Sequence, residues 1–416
     1  MRLQIGMVIG WMAAGLVGAA AQTTLRIYTG NQPRPEVMRE IVDLYMQRNP
    51  AVKIDIDTGG TTPEQQIQSL NAALALKEPV VDLLLVDVVR AAQLAQAQWV
   101  EPLDGHLGAE KEAVLARYLP ALRAAGTVNG KLVALPYAAD AQILYYRKDL
   151  LDKYGFSPPR TWDELKSAAQ KVIEGEKNTA LRGLGMAGAP VESTVCTYLV
   201  PLWGAGEELL KDGKPNLGGP AARKPFELWA DFKAAKLIAA NSADVATDRV
   251  RQDFQAGNLV FALGWSYFQG RFDGDAESAV KGRVGLEAVP GFSLGTQGGC
   301  LGGWQVAVSA ASRNKGEAVK FARFLASPEV AKKQALQAGT LPVIEGILAD
   351  AEVLAAQPWF GPAQNALRTA RARPVTPRYP EVSDILRTNT SAVLAGTKTI
   401  DAALADMNTR LGAIFK

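Results

Sequence analysis

Thr24-Leu25-Arg26-Ile27-Tyr28-Thr29, Val52-Lys53-Ile54-Asp55-Ile56 and Val81-Asp82-Leu83-Leu84-Leu85-Val86-Asp87 are three apolar-rich segments whose order and spacing decide the fold class. In the first two, apolar residues alternate with polar ones, the pattern of a strand. Between them Val37, Ile41, Leu44 and Tyr45 recur at helical spacing from Pro35 to Arg48, and Asn49-Pro50 ends that helix. A second helix is expected from Pro63 to about Lys77, ahead of a third strand, Val81 to Val86, which is apolar except for Asp82. Together they make a βαβαβ unit, whose crossovers imply a parallel sheet covered by helices on both faces. The fold class is α/β. Ligands of open α/β sheets sit beyond the carboxyl ends of the strands, which places Asp87 and the loop from Gly30 to Arg34 where a ligand would lie.

On the N-terminal side, Met1 and Arg2 precede an uncharged run from Leu3 to Leu25 that ends its apolar part in Ala19-Ala20-Ala21-Gln22. A positive start, an apolar stretch and small residues at a cleavage position describe a signal peptide over residues 1–21, with cleavage near Ala21; an uncleaved membrane anchor is the alternative. The protein is therefore expected in the periplasm or another extracytoplasmic space. Such a compartment permits disulfides, and Cys196 and Cys300 form the one pair available, unless both are separate buried thiols.

Toward the C-terminus, Leu132 to Pro136 and Ile143 to Tyr146 read as two short strands, and Thr161-Trp162-Asp163-Glu164 as a capping box that opens a helix. Pro225 to Lys236 is expected to be helical, Leu259 to Leu263 a strand, and Gln305 to Val308 another strand after the Gly-rich stretch Gly291 to Gly303. From Lys315 the pattern is mainly helical, broken at Pro328, Gly339 to Pro342 and Arg373 to Pro380. No linker of low complexity separates domains, so two lobes joined by several crossings fit better than two independent beads.

Composition narrows the function. The 416 residues carry 45 Lys+Arg against 42 Asp+Glu, with a single histidine, His106. One His leaves no multi-His metal site, and a Ser/His/Asp triad only around His106. A net charge of +3 without a basic cluster gives no footprint for nucleic acid. No cofactor or metal is expected.

Three strings carry a resemblance. The first is Leu135-Pro136-Tyr137-Ala138-Ala139-Asp140 followed by Leu144-Tyr145-Tyr146-Arg147-Lys148-Asp149-Leu150-Leu151, and the second is Phe254-Gln255-Ala256-Gly257-Asn258 followed by Phe261-Ala262-Leu263-Gly264-Trp265. The third is Gly302-Gly303-Trp304, then Ser309 to Asn314, then Glu317 to Leu325 with Ser327-Pro328-Glu329. In this order, from about Leu25 to Leu411, the chain resembles the family 1 extracellular solute-binding proteins of ABC importers, and within them the trehalose/maltose-binding branch. The resemblance implies the two-lobed periplasmic binding protein fold, each lobe a sheet flanked by helices, joined by a multi-crossing hinge near Pro136, Val289 to Gly291 and Gly339 to Pro342. It implies an N-terminal lobe of residues 22–135 plus about 291–340, and a C-terminal lobe of 136–290 plus about 341–416. It also implies a monomer that closes around its ligand and docks on the transmembrane subunits of an ABC permease.

The chemistry of sugar recognition agrees with that resemblance. A disaccharide offers apolar ring faces and hydroxyl-crowded edges, so a site needs flat aromatics and paired acceptors or donors. Asp87 and Asp140 are the candidate acceptors, Trp265 and Trp304 the stacking faces, Arg373 the donor, and the branch adds the backbone of Gly302. Thr61 and Gln65 are candidate polar contacts, with Gln65 where relatives often have Arg. Ala138 stands where relatives often have Tyr, so a ring contact is either absent or shifted to Tyr137. Glu36 and Glu192 are further acidic candidates. Against these roles, Asp87 and Asp140 could cap helices or satisfy turns, the tryptophans could be core, and Arg373 a solvated helix end. Two rival functions remain: an exported glycoside hydrolase using paired carboxylates, and a binding protein for another small solute such as a polyamine, metal complex or peptide.

Overall fold

The structure is a computed structural model that describes residues 22–30, 34–60 and 63–415, with the side chains of 63–67 excluded. The expected signal peptide, part of the Gly30 to Arg34 loop, Thr61 and the side chain of Gln65 lie outside the described residues.

The opening unit runs β1 (Thr23–Tyr28), α1 (Pro35–Arg48), β2 (Val52–Asp57), α2 (Pro63–Ala75) and β3 (Leu83–Asp87). β1 pairs parallel with both β2 and β3, as the crossovers require. Alternation inside β3 shows why it is almost wholly apolar. Leu83 and Leu85 join one core with Leu25, Ile27 and Ile41, whereas Leu84 and Val86 join a second cluster with Tyr28 and Leu94 on the opposite face. Asp82, the exception in that run, accepts from the Arg26 amide at 2.9 Å and from the Ser312 hydroxyl, so its burial leaves its carboxylate partnered.

The rest of the sheet comes from β4 (Leu135–Arg147), β5 (Arg182–Gly185), β6 (Leu259–Trp265), β7 (Val284–Glu287) and β8 (Leu301–Val308). The strand order is β2-β1-β3-β8-β4-β6-β5, with β7 also on β4. β4 is shared between two halves. Its residues Leu135 to Ala141 pair antiparallel with β8, and Gln142 to Tyr146 pair antiparallel with β6. The sequence suggests two short strands here, because Asp140 and Gln142 interrupt the apolar pattern. Neighbours on both edges instead hold Leu135 to Arg147 as one strand of 13 residues. β8 likewise begins at Leu301, four residues ahead of the expected Gln305, and takes in Gly302-Gly303-Trp304.

Helices complete two layers around each half: α3 (Trp162–Glu176), α4 (Ser193–Gly204), α5 (Lys315–Leu325), α6 (Pro328–Ala338), α7 (Phe360–Thr369), α8 (Tyr379–Ala395) and α9 (Ile400–Ile414) are the main ones. The capping box of α3 is formed: Glu164 N–H donates to Thr161 Oγ1 at 3.2 Å, and Thr161 N–H donates to Glu164 Oε2 at 3.1 Å. Trp162, Trp229, Leu199 and Phe261 lie in the core of the second half with α8 and α9 residues, while Phe321 and Val330 lie in that of the first. α7 packs on β4 and β7, and Phe360 on it joins the first core. No helix among the described residues is long and apolar enough to cross a membrane. The only histidine, His106, sits in a short surface helix beside Glu101 at 3.2 Å.

Candidate functional site

Strand register assembles the site. Asp87, last in β3, pairs with Trp304 of β8, and Trp304 pairs on its other edge with Ala138 of β4. Gly302 pairs with Asp140, and Trp265, last in β6, pairs with Gln142. Paired residues share a face and so do residues two apart, so Asp87, Trp304, Gly302, Asp140 and Trp265 form one row across both halves of the sheet. Packing within the row is close at Gly302, where an added Cβ would fall 2.7 Å from Trp265 Cζ3 and 3.2 Å from the Cβ of Asp140. Glycine is required there for space.

Tyr137 is removed from the row by the same alternation. It points to the opposite face, is buried in the first core, and sets its hydroxyl 4.0 Å from Met38 Sδ. The ring contact considered for Tyr137 is therefore not available from that residue, and Ala138 leaves its own place in the row without a ring. Trp304, by contrast, is 36% exposed although strands flank it on both edges, so its indole faces open space over the sheet.

Arg373 lies between α7 and α8, with its side chain only 1% exposed. Nη1 donates to Glu192 Oε1 at 2.6 Å and Nη2 to Asp87 Oδ1 at 3.0 Å. Glu192, just ahead of α4, also accepts from the Tyr379 hydroxyl and from Ser383 Oγ at 2.6 Å, both on α8. The guanidinium lies 5.7 Å from the Trp265 ring centroid and 6.0 Å from that of Tyr379. Burial alone would lower the Arg373 guanidinium, but Asp87, Tyr379 and Glu192 outweigh it and hold it above its usual range. Arg373 is thus a charged clamp between β3 and α4, and its buried Nε has no hydrogen-bond partner among the described residues.

Asp140 accepts from the Ala141 and Ser266 amides, each at 2.8 Å, and from the Ser266 hydroxyl. Burial nevertheless pushes its carboxyl up to about 6, against the hydrogen bonds that lower it, and the charge of Asp87 adds to the rise. Asp87 also caps the short helical turn after β3, accepting from Val89 N–H at 3.2 Å, so capping and its contact with Arg373 coexist. Trp265 is fixed by its indole N–H, which donates to Ser193 Oγ at 2.8 Å, and Thr247 Oγ1 lies 2.7 Å from the same Ser193 hydroxyl.

Glu192 is drawn into this group through Arg373, whereas Glu36 is exposed on the first turn of α1. Sequence reasoning does not find Ser193, Thr247, Tyr379 or Ser383. Tyr379 and Ser383 are one helical turn apart on α8, a spacing that marks a common face but not what the face holds. Cys196 of α4 and Cys300, the residue before β8, are joined as a disulfide, and both are fully buried. Among the described residues no group of three or more His, Cys, Asp or Glu is arranged to hold a metal. What the row offers is two flat aromatic surfaces, acceptors on Asp87 and Asp140, and a clamped arginine, a constellation for neutral groups with both apolar faces and hydroxyl edges.

Known proteins agree with this architecture. A probable ABC transporter-binding protein of Deinococcus radiodurans is 32% identical over 379 residues, covering 86% of this chain and 87% of that one. A mannitol-binding protein of Pseudomonas aeruginosa is 25% identical, covering 90% and 84%. Among solved structures, maltose-bound MalE3 of T. maritima superposes with a TM-score of 0.87 at 28% identity, over 94% of this chain and all of that one. These proteins bind solutes and are not enzymes. Residues 29–332 match the family described as bacterial extracellular solute-binding protein, and on that match and the Deinococcus relative the chain belongs to that family.

Proposed function

We propose that the chain is the extracytoplasmic substrate-binding component of an ABC sugar importer. It captures an α-linked disaccharide or short maltooligosaccharide, such as maltose or trehalose, and delivers it to the membrane permease. The carrying observation is the row of Trp304, Gly302, Asp140 and Trp265 with Asp87, two indole faces interleaved with carboxylates. Stacking on the apolar sugar faces is assigned to Trp265 and Trp304, and hydroxyl acceptance to Asp87 and Asp140; the backbone of Gly302 lies between them. Arg373, held by Glu192, orients Asp87. Thr61, Gln65 and Glu36 remain further candidate ligand contacts in this reading. The maltose bound in the T. maritima neighbour supports a glucose-containing ligand.

Capture proceeds by closure of the lobes expected at 22–135 plus about 291–340 and 136–290 plus about 341–416, with the segment beyond 341 packing against both. Ligand contacts that exist only when both lobes meet favour the closed form, and the permease reads that form. Export by the signal peptide, cleavage near Ala21 and action as a monomer belong to the same reading. An acyclic polyol is the second reading, favoured by the mannitol-binding relative and by the missing ring at Ala138. Calorimetric titration with maltose, trehalose, maltotriose and mannitol decides between them: an affinity tighter than about millimolar for a glucoside supports the disaccharide reading, and binding of mannitol alone overturns it.

A further inference from the structure

Two cysteines close the site from behind. Cys196 lies one helical turn beyond Glu192 and Ser193, the residues that hold Arg373 and Trp265. Cys300 stands two residues before Gly302 and four before Trp304. Its backbone is the meeting point of three segments. Cys300 O accepts from Gln142 N–H at 2.9 Å, and Gln142 is the register partner of Trp265. Arg371, two residues ahead of Arg373, bridges to Cys300 in parallel: its N–H donates to Gly299 O, and its carbonyl accepts from Leu301 N–H, both at 2.8 Å. The bond between the sulfurs therefore ties the first turn of α4 to the segments that carry Gly302, Trp304, Trp265 and Arg373. Both cysteines are at 0% exposure, out of reach of solvent thiols.

We propose that the Cys196–Cys300 disulfide, whose two residues both join the core of the second half and so leave the lobes free to close, is a positioning brace for the ligand site, setting the α4 turn that orients Trp265 and Arg373 against the start of β8 that leads into Gly302 and Trp304. Without it, α4 relaxes from β8, the Ser193 hydroxyl no longer holds the Trp265 indole, and the two stacking faces lose their relative orientation. Cys196 and Cys300 act through Ser193 and Gly302 and touch no ligand themselves. The proposal rests on the sugar-binding reading for its affinity readout only.

The test compares oxidised wild type, Cys196→Ala with Cys300→Ala, the volume-refilled Cys196→Val with Cys300→Ala, Ser193→Ala, and Thr161→Ala as a control destabilised by loss of the α3 cap, whose hydroxyl bonds Glu164 N–H. Maltose and trehalose affinities are measured by calorimetry well below the melting transitions, with the near-ultraviolet circular dichroism of Trp265 obtained by difference from Trp265→Phe in each background. The expected result is a tenfold or greater loss of affinity in both cysteine variants and in Ser193→Ala, an altered Trp265 band in the cysteine variants, and no change in Thr161→Ala. Affinity within twofold of wild type in the cysteine variants, an equal loss in Thr161→Ala, or an unchanged affinity for Ser193→Ala would overturn the brace. If wild type binds neither sugar, the sugar reading fails by itself, and the Trp265 band decides: altered without the disulfide it supports the brace, unaltered it overturns it. Should neither cysteine variant fold, Ser193→Ala carries the same decision through affinity and band.

Discussion

A carboxyl held near pH 6 changes charge within the range in which exported proteins work, and Asp140 is such a group. Its folded value lies above that of an unfolded aspartate, so the protonated form favours the fold. That contribution is complete below about pH 4 and is lost as pH rises through about 6. Allowing for the water that reaches the cleft, the loss is about 1–3 kcal/mol. Asp140→Asn, whose amide oxygen can still accept from Ser266, is therefore expected to flatten the fall in unfolding free energy between pH 4 and pH 7 while weakening sugar binding. Denaturant titrations across that range check it, and parallel pH profiles for variant and wild type would contradict it. Trp265→Ala is expected to cost about 2 kcal/mol, roughly 30-fold in affinity, because it removes an aromatic anchor that Ser193 has already oriented. An unchanged affinity would return Trp265 to a purely structural role. Paired carboxyls are also what glycoside hydrolases use, but here Asp140 is engaged by Ser266 and Asp87 by Arg373, and the family binds solutes rather than cleaving them.

Between residues and lobes, the strands decide what is near what. Gly302→Ala is expected to push the Trp265 ring aside, since the new methyl would sit 2.7 Å from Cζ3, and to weaken sugar binding about tenfold with only a small change in stability. Measuring affinity and melting temperature on the same preparation separates that outcome from general misfolding. The opening βαβαβ unit was legible because its periods are clean: α1 spans Pro35–Arg48 as its apolar spacing requires, and Thr161 and Glu164 form their box. Asp87, Asp140, Gly302, Trp265 and Trp304 were legible as strand-end candidates, but their common face follows from register, which pairs Asp87 with Trp304 across 217 positions and leaves no local signal. Tyr137 illustrates the gap. The resemblance offers it as a substitute for the ring missing at Ala138, yet one step of alternation turns it into the core. The continuity of β4 was hidden for the opposite reason, because the polar Asp140 and Gln142 interrupt the pattern by which a strand is recognised.

Across the whole molecule, Asp87 on one half and Glu192 on the other are joined through Arg373, so the halves are held together by a charge contact inside the proposed cleft. A ligand that inserts between them must keep or replace that contact. Saturation at about 100 times Kd is expected to raise unfolding free energy by about 2.7 kcal/mol, and closure to reduce the radius of gyration in small-angle scattering. A ligand that stabilises without changing the scattering profile would argue against closure. The row built on β8, β4 and β6 has a further consequence for how this chain tolerates change in length. Side chains alternate with a period of two, so the site is read in a frame, much as codons are. Deleting or inserting one residue between Asp140 and Gln142 would invert the part of β4 paired with β6 relative to the part paired with β8. Asp140 would then lose Trp265 as a row neighbour even if every residue of the site were kept. Insertions in the surface turns leave that frame intact, so changes in length are expected to be tolerated there.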